Sequence, residues 1–420
     1  MKAEIITIGD ELLIGQIVNT NQSYIAEKLN SVGIDVNKMI VVGDVEEQIF
    51  LAFKKSHNEN DITIVTGGLG PTHDDITKKV ICKFFNDKCK LNSKALNNVK
   101  KILYQRKIEI NDLHIEQAMF PTKAIYIKNE IGTAPGIMYK KNRKYFFAFP
   151  GVPNEMKLMM ENFAIPFLKK KNNSIILHRT LKTVGIFESK LSQIIGGLNF
   201  MFGKHKNTSL AFLPEIYSVK LRITVKDKKF LNARNQIQKV EKKIREKISD
   251  YIYGVDNDRL EEVIGKLLTE KKISISVAES CSGGLFSHKI TNVSGSSNYF
   301  NRGFIVYSNK SKIEDLKVPK KILEKFGAVS FECAFWMAKN VRKISKTNIG
   351  VSVTGITGPL GATKEKPVGL VYIGYSDDNE TAVKKYFFGE GRERVKISAS
   401  LAALEILRKK ILNIKIETLQ

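Results

Sequence analysis

Short apolar runs and helix-spaced apolar positions alternate over residues 1–171. The runs that predict strands are EIITIG (Glu4–Gly9), DITIVT (Asp61–Thr66) and KYFFAF (Lys144–Phe149). The stretches whose apolar spacing predicts helices are Asn21–Val32, Ile76–Phe85 and Asn154–Met160. Because alternating strands and helices are typical of a doubly wound α/β sheet, we expect a domain of that class here.

The pattern changes twice further along the chain. Residues 172–256 carry two strand-like stretches, Thr180–Ile186 and Tyr217–Val225, and a long charged helix, Lys228–Ile248. They predict a small α+β module with two or three strands. Strand and helix alternate again over residues 257–420, so we expect a second α/β domain there. Its predicted elements include helix Arg259–Glu270, strand Ile273–Ala278 and a final helix, Arg394–Leu412.

The composition restricts the class of protein but does not identify a binding partner. The formal net charge is +25, but lysines are spread along the whole chain and no arm of interleaved arginine and aromatic residues is present. We therefore expect phosphorylated small molecules as ligands and no specific nucleic acid. Four scattered cysteines predict neither a disulfide framework nor a structural zinc site. No apolar run reaches the ~20 residues that span a bilayer, and no signal-peptide pattern is present, so we expect a cytoplasmic protein without membrane association.

A serine lies between a predicted strand and a predicted helix in AESCSGG (Ala278–Gly284). There the backbone amides of Cys281 to Gly284 can point into one small volume near Ser280 and stabilise an oxyanion. Gly283 and Gly284 let the backbone approach a substrate closely. The same position also suits a serine that only caps the helix. Cys281 is a rival nucleophile, because a helix N-terminus lowers a thiol pKa, and we rank it below Ser280.

A serine needs a base before it can attack an amide. The histidine of this region, His288, lies two turns along the helix and does not support a Ser–His–Asp triad. Lysine serves as a base where burial lowers its pKa. The segment RGFIVYSNKSK places Tyr307 at a strand end and Lys312 in the following loop. Spacing alone does not separate a catalytic role from a core tyrosine and a solvated lysine.

Further candidates for substrate binding follow a third predicted strand. In VTGITGP, the residues Thr354, Gly355 and Gly358 can offer hydroxyl and amide donors to a phosphate. A plain structural loop fits the composition equally well. Arg392 opens the last helix in GRER and can clamp a phosphate with two hydrogen bonds.

The C-terminal segments resemble the C-terminal domain of the CinA family. In chain order they are AESCSGG, GSSNYFNRGFIVYSNKSK, FGAVS, VTGITGP and EKPVG, and the match covers nearly all of residues 257–412. Members are nicotinamide-nucleotide amidohydrolases, which convert nicotinamide mononucleotide to nicotinic acid mononucleotide and ammonia in NAD salvage. The resemblance implies Ser280 as nucleophile and Tyr307 with Lys312 as its activating set, without a cofactor. It also implies Thr354 and Arg392 in the substrate site.

Three positions depart from the pattern of that family. Ser282 stands where the family has threonine, which keeps the hydroxyl group. Thr357 stands for the alanine of TGIAGP. Gly391 replaces an aspartate directly before Arg392, so a carboxylate is missing beside that arginine.

A second group of candidates lies in the first domain, where DITIVT runs into GGLGPTHDD (Gly67–Asp75). Ligands of open α/β sheets bind beyond the carboxyl ends of the strands, where glycines allow close approach to a phosphate. The predicted phosphate and metal residues are Gly67, Gly68, Gly70, Asp74, Asp75 and Thr77. The candidate ligands of a divalent metal are Asp74 and Asp75, followed by Asp10, Glu11 and Glu155. A tight turn with an acidic helix cap explains the same pattern.

These segments also resemble the N-terminal CinA domain, which is similar in fold to molybdopterin-binding proteins. They include IGDELLIGQIVNTN, TGGLGPTHDDIT, NEIGTAPG and FPGVPNEM. Some members hydrolyse ADP-ribose to AMP and ribose 5-phosphate with a divalent metal such as magnesium or cobalt, so the resemblance implies this activity as a second candidate. It also implies a homodimer.

The middle region resembles the small KH-type module of full-length CinA proteins. Its segment GIFES (Gly185–Ser189) has one glycine where a nucleic-acid-binding loop of this type has two, so we expect a connector. A non-catalytic binding protein of the competence or DNA-damage response is the alternative for the whole chain. DNA binding of that kind would weaken steeply with salt.

Overall fold

The computed structural model describes residues 1–70, 72, 75–196 and 207–416. The chain divides into two compact units. One consists of Met1–Leu177 with Val225–Asn235, and the other of His178–Thr224 with Gln236–Gln420. Within the described ranges, none of the helices has the length and apolar character needed to span a membrane.

The first unit is built on a six-stranded sheet with the order β2-β1-β3-β8-β7-β6. The strands of the unit are β1 (Lys2–Ile8), β2 (Asp35–Val42), β3 (Ile62–Thr66), β4 (Cys89–Leu91), β5 (Met119–Pro121), β6 (Ile125–Ile127), β7 (Gly136–Lys141) and β8 (Lys144–Phe149). Strands β1, β2, β3 and β8 are parallel, as expected for a doubly wound sheet, and β7 and β6 add an antiparallel edge. Strands β4 and β5 form a separate ribbon that the apolar pattern does not predict.

Helices cover both faces of this sheet. They are α1 (Asp10–Leu13), α2 (Thr20–Ser31), α3 (Glu46–Glu59), α4 (Thr77–Phe85), α5 (Ser93–Arg106), α6 (Asp112–Gln117), α7 (Pro153–Met159) and α8 (Ile165–Lys169). A π-helical turn, Met160–Ala164, joins the last two, so the predicted helix from Asn154 extends beyond Met160 to Lys169. Ile5 packs with α2 and α7, while Ile6 packs with α3 and α4, because neighbouring residues of a strand point to opposite faces.

The middle module has a four-stranded sheet with the order β10-β11-β9-β12. Its elements are β9 (Ile175–Val184), α9 (Glu188–Ile195), β10 (Thr208–Glu215), β11 (Ser218–Asp227), α10 (Phe230–Ile248) and β12 (Ile252–Val255). The prediction of two or three strands is therefore too low. Strand β10 buries few of its side chains and β12 has only four residues, so neither has a clear alternating pattern.

The C-terminal domain has a five-stranded sheet with the order β14-β13-β15-β16-β17. Its strands are β13 (Ile275–Glu279), β14 (Phe300–Ile305), β15 (Ile349–Gly355), β16 (Leu370–Ser376) and β17 (Thr381–Phe387). Its helices are α11 (Leu260–Glu270), α12 (Leu285–Thr291), α13 (Asn309–Glu314), α14 (Lys320–Phe326), α15 (Phe331–Ser345) and α16 (Arg392–Ile411). Strand β13 is parallel to both β14 and β15, so the segments that follow these three strands meet at one edge of the sheet.

Candidate functional site

The serine turn begins where strand β13 ends. The Ser280 amide donates to the Val353 carbonyl of β15 at 2.9 Å, so strand pairing continues one residue beyond Glu279. Ser280 is 8% exposed. Gly283 and Gly284 have φ of +61° and +93°, a left-handed backbone that favours glycine and leads the chain into α12. The helix is not capped by Ser280, because its N-cap residue is Gly284.

A buried carboxylate that the sequence motifs do not single out, Glu279, holds this turn in place. Its Oε2 accepts from the amides of Gly284 and Phe286, each at 3.0 Å. Its Oε1 accepts from the amide and the hydroxyl of Ser287 at 2.7 and 2.6 Å. An acidic residue shortly before a helix start is the signal that indicates such a cap. The role that spacing suggests for Ser280, capping α12, therefore belongs to Glu279.

The cap changes the predicted set of oxyanion donors. The Gly284 amide binds Glu279, and the Gly283 amide donates to the Ser280 carbonyl at 3.2 Å. Within the described residues, the amides of Cys281 and Ser282 donate to no backbone carbonyl. Two of the four expected amides are thus left as candidates for stabilising negative charge.

Lys312 lies in helix α13, not in a loop as the sequence predicts. The helix begins after Ser308, whose side chain accepts from the Ser311 amide. Lys312 is completely buried, and its Nζ donates to Ser280 Oγ at 3.0 Å. It also donates to the carbonyls of Val306 at 2.7 Å and Tyr307 at 3.2 Å. Of the two interpretations left open by spacing, the solvated lysine is therefore wrong.

This geometry suits a lysine that acts as a base. Burial lowers the pKa of Lys312 from its ordinary value of 10.5, because the charged form loses its hydration. A neutral amine has two hydrogens and one lone pair. The hydrogens match the carbonyls of Val306 and Tyr307, and the lone pair then faces the Ser280 hydroxyl. Both hydrogens and the lone pair of a neutral Nζ thus have a partner, and the lone pair can accept the proton of the Ser280 hydroxyl.

The hydroxyl of Tyr307 lies apart from this contact. Tyr307 is 61% exposed, and its hydroxyl accepts from Arg392 Nη2 at 3.1 Å. Its contact with Lys312 is made by the backbone carbonyl. The structure therefore brings the Tyr307 side chain to the arginine, while Lys312 Nζ contacts the Ser280 hydroxyl.

The rival nucleophile Cys281 is disfavoured by its surroundings. It is buried in the apolar core of the C-terminal domain. Burial raises the pKa of its thiol to about 12, so the reactive thiolate does not form near neutral pH. The expected ranking of Ser280 above Cys281 agrees with this environment.

Two of the three departures from the family pattern meet at Arg392. Its Nη1 donates to Thr357 Oγ1 and to the Gly358 carbonyl, each at 3.0 Å. Thr357 is almost completely buried and supplies an oxygen that alanine would lack. Gly391 has φ of +100°, where an aspartate would be strained. Thr357 and Gly358 therefore hold the Arg392 guanidinium in place in this protein.

We expect Thr357→Val to raise the KM for the substrate by about 10-fold, since a hydrogen bond to a charged group contributes about 1.5–3 kcal/mol. The value of kcat should change little, because the described hydrogen bond of the Thr357 hydroxyl is to Arg392 and not to Ser280 or Lys312. Thr357→Ser keeps the hydroxyl and serves as the control. Steady-state kinetics of the three proteins check the prediction, and an equal KM for the valine and serine variants would contradict it.

Two other predicted substrate residues have structural contacts instead. The Thr354 hydroxyl donates to the Ala328 carbonyl at 2.8 Å and is buried. Gly355 lies against strand β16, where a Cβ would come within 2.6 Å of the Leu370 carbonyl. The Thr354 hydroxyl is therefore occupied, and Gly358 contributes its carbonyl to Arg392. Phosphate binding by the amides of Gly355 and Gly358 stays a prediction.

The predicted phosphate residues of the first unit line a cavity of about 910 Å³ at the ends of β1 and β3. Residues from that prediction in its wall are Asp10, Glu11, Gly67, Gly68, Gly70, Asp75 and Glu155. Thr77 is buried behind Gly68, and its hydroxyl has no hydrogen-bond partner in the described part of the chain. Asp74 lies outside the described residues.

An acidic residue that the sequence analysis misses, Asp44, also lines this cavity. The Asp10 amide donates to Asp44 and the Asp44 amide donates to Asp10, at 3.1 and 3.2 Å. Burial, and then the neighbouring carboxylates of Asp10, Glu11 and Asp75, raise the pKa of Asp44. The carboxylates repel one another, and a cation in the cavity would relieve that repulsion.

Asp75 and Glu155 already have partners inside the protein. Asp75 Oδ2 accepts from the amide of Thr72 at 2.9 Å and from its hydroxyl, which closes the glycine loop. Glu155 Oε2 accepts from Asn129 Nδ2 at 2.7 Å. In the part of the chain that the structure describes, no three acidic, histidine or cysteine side chains are close enough to hold a metal by themselves.

The fold and the sites define an α/β protein of three parts. Each part matches one family model. These models are a probable molybdopterin binding domain over residues 4–170, a damage-inducible protein CinA KH domain over 178–254 and a CinA C-terminal domain over 257–411. A putative competence-damage inducible protein of Caldicellulosiruptor saccharolyticus is 43% identical over 98% of this chain and 100% of its own. A CinA-like protein of Kosmotoga olearia is 41% identical over 98% of this chain and 99% of its own. The chain belongs to the CinA family, as its motifs predict.

Two solved structures match a little over one third of the chain. The competence/damage inducible protein CihA of Agrobacterium tumefaciens is 35% identical, with a TM-score of 0.35, over 36% of this chain and 95% of its own. The protein CinA of Thermoplasma acidophilum is 32% identical, with a TM-score of 0.37, over 39% of this chain and 95% of its own.

Proposed function

We propose that the C-terminal domain hydrolyses the carboxamide of nicotinamide mononucleotide to nicotinic acid mononucleotide and ammonia. The observation that carries the proposal is the 3.0 Å hydrogen bond between Ser280 Oγ and the fully buried Lys312. The substrate follows from the resemblance of the surrounding motifs to amidohydrolases of the family. A serine with a neutral amine as its base suits an amide, whose leaving group needs a proton.

The reaction proceeds as two acyl transfers. Lys312 takes the Ser280 proton while Oγ attacks the carboxamide carbon. The amides of Cys281 and Ser282 stabilise the negative oxygen of the tetrahedral intermediate. The C–N bond then breaks as the Lys312 ammonium gives its proton to the departing nitrogen, which leaves as ammonia. Water, deprotonated by the same amine, hydrolyses the nicotinoyl ester and restores Ser280.

Arg392 and the Tyr307 hydroxyl bind the charged end of the substrate in this proposal. Their 3.1 Å hydrogen bond, together with Thr357 and Gly358, gives the guanidinium a defined direction. Arginine suits phosphate because its planar fork donates two parallel hydrogen bonds. Tyr307 therefore acts here in substrate binding, and proton transfer rests on Lys312.

The test is the release of ammonia from nicotinamide mononucleotide by the wild-type protein, with nicotinic acid mononucleotide measured in parallel. We expect equal amounts of both products. Added hydroxylamine should divert part of the product to the hydroxamic acid, because it captures the nicotinoyl ester. A protein that releases no ammonia overturns the proposed reaction. Ammonia release without any hydroxamate would overturn the ester mechanism.

A second candidate function, metal-dependent hydrolysis of ADP-ribose, is favoured by the cavity of the first unit. Carboxylates of Asp10, Glu11 and Asp44 lie there beside the glycine loop after β3. Magnesium commonly uses one or two carboxylates and completes its shell with water and substrate phosphates. Asp10 and Asp44 fit that requirement. A bound cation would draw electron density from the pyrophosphate, and the glycines would let its oxygens approach the backbone.

We expect AMP release from ADP-ribose in the presence of Mg²⁺ or Co²⁺ and its loss with EDTA. Asp10→Asn should lower the rate by about 100-fold, in the range seen when groups that support a metal are removed. Glu130→Gln is the matched control, because Glu130 is exposed and does not line the cavity. Chromatography of the nucleotides gives the readout. AMP release unaffected by EDTA would count against a metal site.

A further inference from the structure

A cavity of about 700 Å³ lies beside the serine turn and has no role in the acyl transfer proposed above. Helices α12 and α16 and the start of α11 form its walls. The charged side chains on the walls are those of Arg259, Glu261, Lys289, Arg392, Glu393 and Lys396. Arg259 is neutralised by Glu261, to which it donates at 2.6 Å. The cavity therefore owes its positive character to Lys289, Arg392 and Lys396.

Lys396 is one of two half-buried lysines on these walls, the other being Lys289, and it is the one that lies next to Gly283 of the serine turn. It is half-buried, and its Nζ has no hydrogen bond or ion pair within the described ranges. Two other lysines of α16 differ in this respect, since Lys409 pairs with Glu405 at 2.8 Å and Lys410 pairs with Glu380. A partly buried ammonium without a partner loses hydration and gains nothing in return, so this position favours an anion.

The unpaired ammonium lies directly over the serine turn. A Cβ at Gly283 would be 3.6 Å from Lys396 Nζ, and Gly283 follows Ser280 by three residues. Lys396 also follows Arg392 by four residues on α16, which puts both side chains on one face of that helix. An anion near Gly283 can therefore contact both cations.

Arg392 has only part of its hydrogen-bonding capacity left for such an anion. Three of the five N–H groups of its guanidinium already donate to the protein, to Thr357, Gly358 and Tyr307. The carboxylate of Glu393 also borders the cavity and weakens its attraction for anions. The unpaired charge of Lys396 offsets this.

We propose that Lys396 binds the phosphate group of the substrate and makes the C-terminal domain select a nucleotide over the corresponding nucleoside. This inference rests on the proposed amidohydrolase function and adds a residue to it that the motif analysis does not single out. The phosphate enters the cavity between α12 and α16 and bridges Lys396 and Arg392. The carboxamide at the other end of the same molecule then reaches Ser280.

The test compares nicotinamide mononucleotide with nicotinamide riboside as substrates of Lys396→Met, which keeps the length of the side chain and removes its charge. We expect the KM for the nucleotide to rise about 10- to 100-fold, as for loss of a charge-assisted hydrogen bond, with kcat almost unchanged. The value of kcat/KM for the riboside should stay the same. Arg394→Gln is the matched control, because Arg394 carries the same charge on the same helix and does not line the cavity. Equal losses with both substrates, or no change with either, would overturn the proposal.

Inorganic phosphate provides a readout that does not depend on turnover. It should raise the thermal unfolding temperature of the wild-type protein and of Arg394→Gln more than that of Lys396→Met. If the wild type releases no ammonia but phosphate stabilises it through Lys396, the amidohydrolase reaction fails while the anion site stands. Equal stabilisation of wild type and Lys396→Met by phosphate would contradict the proposed anion site at Lys396.

Discussion

Replacement of Lys312 by methionine is expected to lower kcat for ammonia release on the order of 10³-fold, within the range for loss of a general acid–base group. Methionine fills a similar volume, so the apolar surroundings of the side chain are kept. The carbonyls of Val306 and Tyr307 lose their donor, which costs about 1–3 kcal/mol of stability, less than the stability of an ordinary domain. Activity should therefore disappear from a protein that still folds.

Lys310→Met is the control for this variant, because Lys310 lies on the same helix and is 77% exposed. Its kinetics should equal those of the wild type. Ser280→Ala should lose as much activity as Lys312→Met, and the double variant should lose no more than either, because the two groups act as one unit. Losses that multiply in the double variant would show that Lys312 does not act through Ser280.

The pH dependence of the reaction follows from the same lysine. Because burial lowers the pKa of Lys312, the neutral amine forms at a lower pH than in an ordinary lysine. We expect kcat/KM to rise with pH and to level off above the lowered pKa, still below 10.5. The folded protein binds fewer protons than the unfolded chain between these two pKa values, so its free energy of unfolding also rises with pH there. Lys312→Met should lack this dependence of stability on pH.

Replacement of Glu279 by alanine is expected to destabilise the C-terminal domain by about 3–5 kcal/mol, because several donors lose one acceptor together and each buried donor left unpaired costs about 1–3 kcal/mol. The loss leaves the amides of Gly284, Phe286 and Ser287 without their acceptor inside the protein. The turn that holds Ser280 then loses its fixed geometry, so activity should fall as well. Urea unfolding followed by circular dichroism gives the change in stability.

Glu279→Gln separates charge from shape in this cap. The glutamine keeps one acceptor oxygen and places an NH₂ group where the second oxygen lay, so about half of the contacts survive. We expect it to unfold at a urea concentration between those of wild type and Glu279→Ala. Glu324→Ala is the control, because Glu324 is 60% exposed and its loss should be nearly neutral. An alanine variant at position 279 as stable as this control would refute the role of the cap.

Local patterns in the sequence predict the domain classes, the family and the turn after Ser280. Apolar periodicity predicts both α/β domains, because the spacing of buried side chains along a strand or helix is a local property. It fails for β10 and β12, whose few buried residues leave no alternation. The order of the motifs identifies the family, and the glycines after Ser280 predict the turn.

The burial of side chains and their long-range partners follow from the tertiary structure alone. Spacing leaves open whether Lys312 is solvated or catalytic, and the tertiary structure shows that its helix lies against Ser280, 32 residues away in the chain. Asp44 meets Asp10 only because β1 and β2 are parallel neighbours, and Thr357 meets Arg392 across 35 residues. The sequence alone identifies the family and the domain classes, and it predicts Ser280 as the nucleophile. Which charged side chains lose their hydration depends on what packs around them, so only the tertiary structure shows that Lys312 is buried against Ser280 and that Lys396 is half-buried beside Gly283.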